Sequence, residues 1–188
     1  VSCGTGATGT STTASATYTA PSMASATCTP GFGYASAACA TYGMIGRVSS
    51  LVGASGSITD ATACNSTGYL DLSSSTSVSL IAGTTYPVTL QTGGTTYAGS
   101  MSSQLWIDFS NNGAFEASET VGGVVPGAYS TSTMLATSSI TIPPGVASGT
   151  FRMRIVSMYL PTSYGYQNYP NMLPCVTTSP LAYGEGRD

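Results

Sequence analysis

The chain has 188 residues with four arginines, seven carboxylates and no histidine, for a net charge of −3. Charged residues make up 6% of it, against about 25% in an ordinary soluble domain, and Ser and Thr fill the gap at roughly three residues in ten. These counts leave no basic patch for nucleic acid, no Ser-His-Asp or Cys-His nucleophile, no His-ligated metal and, since lysine is absent, no Schiff base.

Residues 1–27 are a low-complexity arm of small and polar residues that cannot bury enough apolar surface to fold alone. Strand-like docking, on its own domain or on a neighbour, is expected of it. A chain opening at Val1 reads as already processed. No apolar run is long enough for a membrane-spanning helix.

From Cys28 onward the pattern is short β-runs punctuated by turn residues. Strands are expected at Tyr42–Ser50, Thr76–Ile81, Thr85–Thr92, Ser103–Phe109, Ser138–Ile142 and Thr150–Ser157. Val, Ile, Thr and Tyr dominate these runs, and Phe151, Met153 and Ile155 alternate with Arg152 and Arg154. No segment carries an apolar stripe of helical period. The expected fold is all-β, an antiparallel β-sandwich over residues 28–188 with an extended N-terminal arm and without helices of any length.

The sharpest motif follows the strand at Ser103–Phe109. Counting from Asp108, side-chain oxygens fall at positions 1 (Asp108), 3 (Ser110), 5 (Asn112), 9 (Glu116) and 12 (Glu119), with Gly113 at 6 and the carbonyl of Ala114 at 7. That is the rhythm of a twelve-residue Ca²⁺ loop, in which hard oxygen donors surround a hard cation and glycine permits the sharp turn. Three of the seven carboxylates of the chain lie in it. A strand precedes the loop where an EF-hand would have a helix, so a structural ion is expected and not a sensor. The bland alternative is a polar turn in which Asn112-Gly113 supplies positive φ. Acids three residues apart in one loop do not flank a substrate as a glycosidase pair must, so no enzyme is expected.

Five cysteines, with no close C-x-x-C pair, suggest a disulfide framework in an oxidising, extracellular setting. The short loop makes Cys28–Cys39 the natural local bridge, and Cys64–Cys175 would tie an early strand to a late one. That leaves Cys3, on the arm, for a bond between chains. Asn65-Ser-Thr is formally an N-glycosylation acceptor. Tyr159, Tyr164, Tyr166 and Tyr169 fall in a tyrosine-rich segment suited to stacking on surface glycans or anchoring an interface.

These elements also occur in a family order. A Cys pair around a Pro (Cys28 to Cys39) precedes Cys64 and G-Y-x-D (Gly68, Tyr69, Asp71). A-G-T-T-Y (Ala82 to Tyr86) and W-I-D-F-x-x-N-G-x-F (Trp106 to Phe115) come next. I-P-P-G (Ile142 to Gly145), F-R-M-R (Phe151 to Arg154), Cys175 and Y-G-E-G-R-D (Tyr183 to Asp188) complete the set. Residues 28–188 thus resemble the GEVED domain of bacterial secreted and cell-surface proteins. Gly186 and Arg187 stand where the family motif has Val and a second acid, which puts the role of that acid in question. The resemblance implies a β-sandwich accessory or surface module and supplies no enzyme activity. The reading from sequence is a calcium-stabilised extracellular subunit that assembles with copies of itself through the arm into a filament or surface layer, with a glycan-binding or adhesion module as the alternative.

Overall fold

The structure is a computed structural model describing residues 22–42, 45–93, 98–159, 170–175 and 183–188. Two sheets face each other. One has the strand order β2-β1-β4-β7, built from β1 (Gly46–Val52), β2 (Ser57–Ile58), β4 (Thr85–Thr92) and β7 (Leu135–Thr141). The other has the order β3-β9-β8-β5-β6, built from β3 (Tyr69–Leu70), β5 (Met101–Ile107), β6 (Thr120–Val124), β8 (Met153–Tyr159) and β9 (Gly184–Arg187). The sandwich expected from sequence is therefore present. The pairing is mixed, because β3 runs parallel to β9 while the other strand pairs are antiparallel.

Side-chain alternation explains the packing. In β4, Tyr86, Val88 and Leu90 turn inward while Thr85 and Pro87 face out, as a sheet with one wet face requires. These residues meet Leu105, Ile107 and Ile155 of the facing sheet to form the main core. Strand β5 is buried along its whole length because β6 and β8 flank it and loops cover its outer face. There, a second cluster of Trp106, Phe115, Val156, Met158, Met172 and Phe32 closes over the sheet.

Three expectations are corrected. A helix, α1 (Ala35–Tyr42), occupies the stretch before β1, so the strand expected from Tyr42 begins at Gly46. Its alanines favour a helix, and its last turn carries Cys39 to its bond. The strand expected at Thr76–Ile81 is absent; only a single bridge, Ser55 to Ser79, forms there. The disulfides are Cys28–Cys175 and Cys39–Cys64, with Cα atoms 5.9 and 5.6 Å apart, and not Cys28–Cys39 with Cys64–Cys175. The helix is what decides this. It carries Cys39 toward the 60–65 segment and leaves Cys28 on the far side, beside the C-terminal strands.

Candidate functional site

The Asp108–Glu119 loop folds around its own carboxylates. Asp108 is fully buried; its Oδ1 accepts the Asn112 N–H (3.1 Å) and the Ser110 hydroxyl (3.1 Å), and its Oδ2 accepts the Gly113 N–H (2.8 Å). Glu119 is buried too, and it ties both limbs of the loop by accepting the N–H groups of Ser110 (2.8 Å) and Glu116 (3.0 Å). The Asn112 amide donates to Glu116 (2.8 Å), and its own oxygen accepts the Ala114 N–H (2.7 Å). The geometry thus joins Asp108 and Glu119 through Ser110, and sets Glu116 beside Glu119. Among the described residues no three His, Cys, Asp or Glu side chains converge at metal-holding range.

Electrostatics set the last two glutamates apart. Burial, and then a proton shared with Glu116, raise Glu119 above the ordinary carboxyl range; that same shared proton, followed by the Asn112 amide, lowers Glu116.

The outer edge of this loop holds the end of the N-terminal arm. The Gly113 carbonyl accepts both the N–H (2.7 Å) and the hydroxyl (3.0 Å) of Thr27. Asn111 accepts the Ala24 N–H (2.7 Å) and donates to the Ser22 carbonyl (2.9 Å). Residues 22–27 therefore dock on their own domain. Gly113 sits at φ +83°, and a Cβ there would run into the Ser25 carbonyl. Gly113→Ala is expected to cost about 1–3 kcal/mol from positive φ alone, and to loosen the arm. Urea unfolding checks the first effect, and amide exchange at Thr27 the second. Sequence reading missed Asn111, because it stands at a non-ligand position of the loop.

Beyond the loop, the buried charges form two groups. Asp188 accepts from Arg154 (2.5 and 2.6 Å), Arg152 (3.3 Å) and the Tyr69 hydroxyl (2.8 Å), and Arg152 also reaches Asp71 (3.0 Å). Arg154 is wholly buried, its guanidinium 4.4 Å from the centre of the Phe115 ring. In the second group Arg187 pairs with Asp60 (2.5 Å) and Glu185 (3.0 Å), while Glu185 also takes the N–H groups of Gly46 and Asn65. All this hangs on β8 and β9, which carry Arg154, Glu185 and Arg187, and on Arg152 just before β8.

Residues 103–188 match the family model of the GEVED domain. Over these residues the chain is similar to the GEVED domain. The match opens inside β5, so β1 to β4 lie outside it, although the first sheet is made of β1, β2 and β4 together with β7. No curated protein matches the chain. Within the matched region, the departure at Gly186-Arg187 is resolved by packing. A Cβ at residue 186 would stand 2.8 Å from Pro30, and the reversed charge at Arg187 is met by Asp60 and Glu185.

The remaining candidates divide. Cys28, Cys39, Cys64 and Cys175 are all bonded. Tyr159 ends β8 half-buried, its ring 6.5 Å from that of Tyr183. Cys3, Tyr164, Tyr166, Tyr169 and residues 1–21 lie outside the described residues. No helix of the described residues is long and apolar enough to cross a membrane.

Proposed function

We propose that the chain is a non-catalytic structural subunit of an extracellular surface assembly, stiffened by one Ca²⁺ in the Asp108–Glu119 loop and joined to its copies through residues 1–21. The observation that carries this reading is where the charge goes. Six of the seven carboxylates take up internal ion pairs or backbone N–H groups, and Glu116 is engaged by Asn112. An acid–base pair needs carboxyls free to exchange protons with a substrate; here they hold the fold together.

Two features support the finer parts. Burial and the neighbouring Glu116 raise Glu119 in a loop otherwise made of oxygen donors, and a hard cation offsets the repulsion between two ionised carboxylates placed side by side. Asp108, Glu116 and Glu119 do not converge in the ion-free loop and would have to draw together to hold the ion, with Ser110, Asn112 and the Ala114 carbonyl completing the set. For assembly, the other four cysteines bond to one another within the chain. By arithmetic this leaves the Cys3 thiol for a second copy.

The calcium test carries a sign. Glu119 has a raised folded value, so its contribution to stability is fully present below the ordinary carboxyl value and lost as pH climbs through the folded one. Ca²⁺ favours the ionised pair. Saturating Ca²⁺ should raise the melting temperature by about 5 °C or more near pH 7, and by much less near pH 4. Equal melting with Ca²⁺ and with chelator at pH 7 would refute the ion. Because residues 22–27 dock in cis, the assembly test is deletion of residues 1–21 only. The truncated chain should run as a folded monomer in light scattering while the full chain assembles; assemblies that survive the deletion would sink the arm's role.

A further inference from the structure

At one end of the sandwich the sheets do not close on each other. A cleft of about 800 Å³ opens there, between the segment 76–82 on one side and 146–151 on the other. That volume lies in the range of small-molecule sites, roughly 300–1,000 Å³. Its deep walls are aliphatic and aromatic, with Val48 and Ile58 from one sheet and Ile107, Phe109, Met153 and Ile155 from the other. Hydroxyl residues such as Thr76 and Ser77 line its rim.

The wall also carries a polar feature. Asp60 and Arg187, which pair with each other, both belong to it. Arg187 is buried, and its Nε–H is the one buried side-chain nitrogen of the described residues that has no acceptor. A buried donor without a partner costs free energy that an arriving acceptor recovers. Charge decides what kind of acceptor fits. The charged residues of its wall, Arg152 and Arg187 with Asp60 and Asp188, balance, and both arginines are already paired with carboxylates. An anionic head group would find no unpaired cation there to offset its lost hydration, whereas an uncharged carbonyl or ether oxygen needs none.

We propose that this cleft binds a neutral, chain-like amphiphile, with its hydrocarbon between the sheets and an uncharged oxygen on Arg187 Nε. Binding is non-covalent and independent of the loop at Asp108.

The test uses the full chain and the uncharged fluorescent probe N-phenyl-1-naphthylamine. Probe fluorescence should rise on binding, and a monoacylglycerol should displace it. The carboxylate of the same chain length should displace it at least about tenfold less well, a difference of about 1.4 kcal/mol. Leu80→Trp, in the wall, and Ala147→Trp, at the exposed rim, should each weaken probe uptake about tenfold or more. The rim variant should keep the parent's melting temperature, so loss of the fold cannot mimic the result. The idea is overturned by no uptake, by uptake indifferent to both tryptophans, or by a carboxylate that competes as well as the ester. Uptake that appears only after residues 1–21 are removed would assign the cleft to the arm and overturn it too.

Discussion

Asp188→Ala should destabilise the domain by about 3–5 kcal/mol, the usual cost of stranding a buried ion-pair partner. The side chains of Asp188 and Arg154 are both fully buried, so water cannot replace the lost acceptor. Three donors lose their oxygen at once: the Arg154 guanidinium, Arg152 Nη1 and the Tyr69 hydroxyl. The phenol of Tyr69 is itself held protonated well above its usual range, first by burial and then by donating to Asp188. Urea unfolding of the purified variant measures the effect, and a loss under about 1 kcal/mol would mean that the network is dispensable. The double variant Arg154→Met with Asp188→Leu should recover most of the loss, since apolar replacements of a buried pair are often neutral.

The carboxylates of both buried groups set the acid limit. Burial works to raise Asp60 and Asp71, but hydrogen bonds from Thr62 to the first and Ser73 to the second, then Arg187 and Arg152, outweigh it and leave both carboxyls below their ordinary values. A lowered carboxyl contributes stability above its unfolded value, near 3.8, and loses it as pH falls through the folded one. Asp71 is nearly half exposed, so solvent screening makes its part small.

The second large effect concerns the two disulfides, which should not be equivalent. Cys28–Cys175 closes a separation of 147 residues and Cys39–Cys64 one of 25. Loop-closure entropy then assigns about 5 kcal/mol to the first and about 3.5 kcal/mol to the second. Cys28→Ala with Cys175→Ala should therefore lower stability more than Cys39→Ala with Cys64→Ala. Guanidinium unfolding of the two variants gives the order directly. The reverse order would show that the unfolded chain is already compact near Cys28.

What could be read in the sequence followed from side-chain periodicity. β4 begins and ends where Thr85–Thr92 alternates, and β5, β7 and β8 lie within a few residues of their expected places. β6 and β9 escaped notice, because Thr-Val-Gly-Gly-Val and Gly-Glu-Gly-Arg carry almost no apolar alternation. Glycine is there for close approach: a Cβ on Gly122 would strike the Ser139 carbonyl, and one on Gly184 the Ser157 carbonyl. Arg152 and Arg154 alternate with the apolar Phe151, Met153 and Ile155 yet are buried as well, since loops and Asp188 cover that side of the sheet. Partners that distant in sequence leave no local trace. The loop's turn and its run of oxygen-bearing side chains were legible; its capture of residues 22–27 was not, as it depends on Asn111 and on a carbonyl.

The Cys28–Cys175 bond also bears on how the molecule carries load. Tension entering through the arm reaches Cys28 and crosses the bond directly to Cys175, thirteen residues short of Asp188. The 147-residue stretch that it bypasses could otherwise pay out about 500 Å of chain at roughly 3.5 Å per residue. With the bond closed, a pull along that line stresses sulfur and the short run through β9, and leaves most of the sandwich slack. Reduction would turn the same molecule from a tether of nearly fixed length into an extensible one.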